Sequence, residues 1–208
     1  MDKTSPLRHG RLYHVYNRGV NREHLFKEER NYPYFLWLIR RHVHPIADIY
    51  AYCLLRNHFH LLVRMRMRSE IRKSAAEPLH NLSLGRHFGN CFNAYTKSVN
   101  VAYRRTGCLF ERPFKRKVVE SPDYFRQLVV YIHRNPQKHG LVDNFADWPY
   151  SSFGRFEGDA DPVIECSTVV SSFGSLDAFR GAHLDESVLA SQISFGDFTD
   201  KDAPHEAE

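Results

Sequence analysis

Residues 46–65, IADIYAYCLLRNHFHLLVRM, constrain the fold more than any other stretch of the chain. Two runs rich in β-branched, aromatic and aliphatic residues flank Arg56-Asn57. Such runs read as strands, and an asparagine that tolerates left-handed geometry suits a tight turn between them. A hairpin over 46–65 is therefore expected. Side chains alternate along a strand, so His58, His60 and Leu62 share one face while Phe59, Leu61 and Val63 share the other. Two imidazoles on one face aim at a common point, and neutral imidazole is a common metal ligand. An arbitrary His-x-His pair is as often two ordinary hydrogen-bonded side chains, and the chain holds 13 histidines. The pair alone leaves both alternatives open.

The rest of the chain surrounds this hairpin with alternating elements. RLYHVYNRG (11–19) reads as a first strand ended at Gly19. KEERNYPYFLWLIRRHV (27–43) has helical spacing, with Pro33 tolerable only near the first turn. Residues 79–107 form a long helical stretch weakened by Gly85 and Gly89 and closed by Gly107. CLFERPFKRKVVE (108–120) predicts one or two short strands broken at Pro113. SPDYFRQLVVYIHRNP (121–136) is the clearest helix: Ser121 is a good N-cap, Pro122 opens the first turn, and Pro136 marks the end. The order strand, helix, strand, strand, helix, strand, helix predicts an α+β fold. Its ferredoxin-like antiparallel sheet carries helices packed on one face. Residues 1–155 form the main domain. Residues 156–208 form an acidic, loosely structured appendage with one or two short helices and a partly disordered end.

Charge divides the chain in the same place. Residues 1–150 carry a net +14 and residues 151–208 a net −9. A body that basic points to a polyanionic partner, most simply nucleic acid, although a solvated basic surface is the plain alternative. The acidic extension is expected to lie over the basic groove or to pack against the body. No run approaches the ~20 apolar residues of a membrane span, and MDKTSPLRHGRLYHVYNRG lacks an apolar signal core. A soluble cytoplasmic protein with no membrane partner is expected. The four cysteines have neither zinc nor redox spacing, and Cys53 and Cys108, inside apolar runs, are expected to be buried.

Helix 121–136 offers what His58 and His60 lack. Phe125, Leu128, Val129 and Ile132 form its core face, and Tyr124, Tyr131 and Asn135 run along one edge. Tyr131 and Asn135, four apart, are stacked neighbours. Over the histidine face they would add a phenol and an amide oxygen; a Tyr at a helix edge is otherwise amphipathic packing with its hydroxyl wet.

YHVYNRG, AYCLLRNHFHLLV, GCLFERPFK, YFRQLVVYIHRNPQKHGLV and DWPYSSF, in this order over residues 11–155, resemble the single-tyrosine transposases of the histidine-hydrophobic-histidine superfamily. The similarity is to their REP-associated branch. It implies that His58, His60 and Asn135 bind a divalent metal, Mg²⁺ or Mn²⁺, and that Tyr131 is the nucleophile. It further implies single-stranded DNA with palindromic hairpins as partner, nicking and strand transfer through a 5′-phosphotyrosine, and action as monomer or homodimer. The family usually has Met-Pro where this chain has Leu55-Arg56. Basic residues that would contact phosphates are Arg18, Arg22, Arg56, Arg64, Arg66, Arg68, Arg112, Lys115, Arg116 and Lys117. Tyr13, Tyr16 and Phe114 are aromatics placed to stack bases or to fill the core. A non-catalytic nucleic-acid-binding protein and a phosphodiesterase that uses water are the alternatives. His14 and His133 are weak candidates for a general base.

Overall fold

The hairpin strands are β2 (Ala47–Leu54) and β3 (His58–Met65) in the computed structural model, which describes residues 6–71, 83–158 and 163–185. Leu55 N–H donates to the His58 carbonyl at 2.9 Å, leaving Arg56 and Asn57 at the tip. The Arg56 carbonyl in turn accepts from Leu25 and Phe26 N–H, at 2.8 and 3.0 Å. Strand β1 (Leu12–Arg18) pairs antiparallel with β3, and β4 (Lys115–Val119) pairs antiparallel with β1. The sheet order is β2-β3-β1-β4. With α1 (Asn31–His42) after β1 and α2 (Leu84–Ala102) after β3, this is the ferredoxin-like arrangement the element order predicts. Pro33 sits in the first turn of α1, where its missing N–H breaks no helical bond. The predicted start of α2 at residue 79 lies outside the described residues.

Helices α1 and α2 cover the face that carries Phe59. Phe59 lies 5.2 Å from Phe35 of α1 and 5.4 Å from Phe92 of α2, ring centre to ring centre. Tyr95 packs edge-on against Phe35 at 4.8 Å, and its hydroxyl donates to the Leu25 carbonyl at 2.8 Å. All four rings are buried. Truncating one such ring to alanine typically costs about 3–5 kcal/mol.

The third helix, α3 (Pro122–Lys138), lies on the opposite face. Packing of helices on one face therefore holds for α1 and α2, and the prediction needs this extension. The cause is the same alternation that sorts the strands. The face bearing Tyr16, His58 and His60 is also buried, and it needs a cover. Ser121 caps α3 by accepting from Tyr124 N–H at 3.1 Å. The helix does not stop at Pro136 but runs two residues further. A proline this close to a helix end removes one backbone donor, and the following residues continue the turn.

Both sheet edges are protected. β2 is an edge strand yet wholly buried, because residues 150–152 and 164–165 run along it. Leu54 N–H donates to the Tyr150 carbonyl, Ser152 N–H to Tyr52, and Glu165 N–H to Ile49, all at 2.9–3.0 Å. The DWPYSSF stretch is thus an edge cover, with Trp148 Nε1 donating to the Leu54 carbonyl at 2.9 Å. β4 is short and basic, which blunts the other edge.

The described part of the acidic extension is folded onto the body. Helices α4 (Cys166–Phe173) and α5 (Leu176–Leu184) fulfil the expectation of short helices. They bury Val169, Phe179 and His183, and His183 Nε2 lies 2.8 Å from His133 Nδ1 of α3. Its predicted disordered end lies outside the described residues. No described helix is long and apolar enough to cross a membrane.

Gly19 joins the strand ends. Its N–H donates to the Asn57 carbonyl at 2.8 Å, next to His58, and a Cβ built there would stand 2.0 Å from the Glu23 carbonyl oxygen. Gly19→Ala is expected to destabilise the fold by about 3 kcal/mol, the upper range of overpacking costs. A urea denaturation midpoint measures this; an unchanged midpoint would contradict it.

Candidate active site

Register decides which side chains meet on the second face. Tyr16 pairs with His60 and Arg18 with His58, so His14, Tyr16 and Arg18 share the histidine face. His14 stacks on His60 at 5.1 Å, and its Nε2 lies 2.9 Å from His60 Nδ1. At that distance the two rings share one proton, and His60 is held in orientation through it. The His58 ring stands perpendicular to His60, 5.2 Å away. His58 Nδ1 lies 2.7 Å from Asn57 Oδ1. An amide oxygen only accepts, so Nδ1 carries the proton and Nε2 keeps its lone pair for a ligand.

Helix α3 brings the remaining groups. The Tyr131 ring meets His60 edge-on at 5.6 Å and His14 at 6.3 Å. Asn135 is fully buried, and its Nδ2 donates to the Tyr131 carbonyl at 2.8 Å. That bond fixes the amide, and its Oδ1 is buried without a hydrogen-bond partner among the described residues. An amide oxygen left so costs about 1–3 kcal/mol unless a group from outside the chain completes it. Lys138 places its ammonium 5.3 Å from the Tyr131 ring centre, and His139 lies 4.9 Å from the His58 ring.

Burial sets the charge of this site. It holds both His58 and His60 well below the usual imidazole pKa, and neighbouring basic groups, whose protonation would compete with theirs, add to the effect. For His58 these are His139, Arg18 and Lys138; for His60 they are His14, His58, His139 and Lys138. Both rings are therefore neutral at pH 7, the state a metal requires. Among the described residues no group of three or more His, Cys, Asp or Glu is arranged to hold an ion. A metal here needs a ligand of another type, and the orphaned Asn135 oxygen is of the right kind. Two neutral imidazoles and an amide oxygen fit Mg²⁺ or Mn²⁺.

The predicted DNA-contact residues fall in different places. Arg18 and Lys115 lie beside the histidine pair, both paired with Glu111 (Lys115 at 3.4 Å). Lys117 is on the same face, over the Tyr124 ring at 5.0 Å. Arg116 faces the other way and lies 4.9 Å from the Phe114 ring. Arg64 is six residues along β3 from His58, about 20 Å away, between Asp48 and Glu70. Arg66 shares Asp48. Arg22 is half-buried just past β1, while Arg56 is exposed on the hairpin tip and Arg68 beyond β3. Arg112 Nη2 lies 3.5 Å from Asn93 Oδ1 of α2. Tyr13 and Tyr16 are core residues, whereas Phe114 is half-buried. Cys108, expected inside, is exposed. His133 faces away from the site and bonds to His183 and Ser152.

Comparisons with known proteins bear on the sequence and the fold as wholes. A protein named as a REP-associated tyrosine transposase in Haemophilus influenzae is 31% identical over 115 residues. A solved structure of a REP-associated tyrosine transposase bound to a REP hairpin superposes with a TM-score of 0.56. Sequence and fold both resemble the REP-associated tyrosine transposases. The sequence match covers 54% of this chain and 62% of the Haemophilus protein, so the chain spans under two thirds of that relative. The structural match covers 79% of this chain and 96% of the other, at 17% identity, and concerns the fold. No protein-family model matches.

Sequence reasoning missed Asn57, Lys138 and His139. The signal for the last two was present: they stand seven and eight residues after Tyr131, on the Tyr131–Asn135 stripe. Taking Pro136 as the helix end hid it.

Proposed function

We propose that this chain is a REP-associated tyrosine transposase, a metal-dependent enzyme that nicks and joins single-stranded DNA beside hairpins. The carrying observation is the Tyr131 ring set against His60, one turn before a buried amide oxygen that has no partner among the described residues. His58, His60 and Asn135 would hold the metal, which supplies positive charge to the scissile phosphate and stabilises the charge that develops there.

The chain's own groups account for the rest. Tyr131 Oη attacks phosphorus; the Oη–P bond forms as the P–O3′ bond breaks. The phenolic proton passes to solvent, and the departing 3′ oxygen takes up a proton from solvent to become a hydroxyl. The product is a 5′-phosphotyrosine. The Lys138 ammonium near the ring favours the phenolate as it forms. A phenol, with a pKa of about 10, is a far better leaving group than an alkoxide. A second strand's 3′-OH therefore reverses the step without an external energy source. His14 and Asn57 orient the two imidazoles.

The test is incubation of the protein with labelled hairpin DNA carrying single-stranded flanks, with Mg²⁺ or Mn²⁺ and with EDTA, followed by a denaturing gel. A metal-dependent protein–DNA adduct is expected. Cleavage without an adduct would instead favour a phosphodiesterase that uses water, and binding alone a nucleic-acid-binding module.

A further inference from the structure

A cavity of about 470 Å³ opens on the opposite face of the sheet from the histidine pair, between α2 and the 108–114 segment. Its walls include Phe92 and Phe114, its polar groups are Asn17, Asn93, Thr96 and Glu111, whose carboxylate is paired with Arg18 and Lys115, and the exposed Arg112 also lines it. Gly89 forms part of its lining, and a Cβ there would meet nothing within 4 Å. A glycine inside a helix costs about 1 kcal/mol relative to alanine. A side chain placed at Gly89 would therefore project into open space beside the cavity.

We infer that this cavity receives an unpaired nucleobase of the bound DNA strand, an inference that rests on the proposed DNA-processing function. The volume suits a small ligand held between apolar walls with a few polar groups. Phenyl faces stack on any base, while an amide and a hydroxyl match the hydrogen-bonding edge of one. Arg116, 4.9 Å from the Phe114 ring, and Arg112 set positive charge where the sugar-phosphate chain would run. The cavity also adjoins the candidate active site through the strand itself. Asn17 lines it, and the next residue, Arg18, faces His58 on the other side. One DNA strand rounding the end of β1 would reach both.

Gly89→Leu tests this, because it fills the cavity and improves helix propensity. Binding is measured for a random-sequence single-stranded 20-mer and for an abasic 20-mer of equal charge. Wild-type protein should prefer the base-bearing strand. Gly89→Leu should bind that strand about tenfold more weakly, with abasic binding unchanged and a melting temperature no lower than wild type. Gly89→Ala, which fills less space, should lose less. Wild-type affinity of Gly89→Leu for the base-bearing strand, or equal loss toward both strands, would overturn the nucleobase site and leave the DNA-processing function standing. If wild-type protein binds neither strand, the DNA-processing function falls first.

Discussion

Tyr131→Phe is expected to abolish covalent attachment to hairpin DNA, lowering cleavage by more than about 10³-fold, as loss of a nucleophile does. Hairpin affinity should stay within about twofold, since the lost hydroxyl is the proposed reacting group and the ring keeps its contacts with His60 and His14. Stability should change by no more than about 1 kcal/mol, the usual net worth of one hydrogen bond. Single-turnover cleavage, equilibrium binding and urea titration read the three quantities separately. Undiminished cleavage by the phenylalanine variant would remove Tyr131 from the chemistry and turn attention to water.

Acid should unfold the protein well above the pH at which carboxylates protonate. Burial pushes the pKa of His183 down to about 4 and holds His133, His58 and His60 well below the ordinary 6.5. For a depressed imidazole the unfolded chain binds protons that the folded chain refuses. The stabilisation is then present above pH 6.5 and is lost as pH falls through and below that value. His183 alone should cost about 2 kcal/mol between pH 7 and pH 5, and the other three add in the same direction. The His133–His183 contact at 2.8 Å joins α3 to α5, so the helix carrying Tyr131 is directly exposed to this loss. Denaturant midpoints at pH 7.5, 6 and 5 check it, and a flat profile would contradict buried neutral histidines.

Much of the fold was legible because its signals are local. The strand runs, the turn at Arg56-Asn57 and the Ser121-Pro122 cap each act within a few residues, and each appears where predicted. Pro136 misled for the same reason. Its effect depends on how much helix follows, and here only two residues do. Cys108 misled because it stands at the exposed start of its run, just after Gly107, and burial begins only at Leu109.

The sequence by itself determined that His58 and His60 share a face, and that Tyr131 and Asn135 share a helix edge. Strand alternation and helical pitch are covalent-geometry rules that hold in any fold. Tertiary structure decided that these two faces meet. It also decided that β1 lies beside β3 in a register that sets His14 against His60, and that Asn135 turns its amide nitrogen to Tyr131 and leaves its oxygen without a partner among the described residues. Those outcomes depend on strand order, on which sheet face α3 covers, and on single hydrogen bonds. They come from burying the whole chain at once, and no local window of sequence carries them.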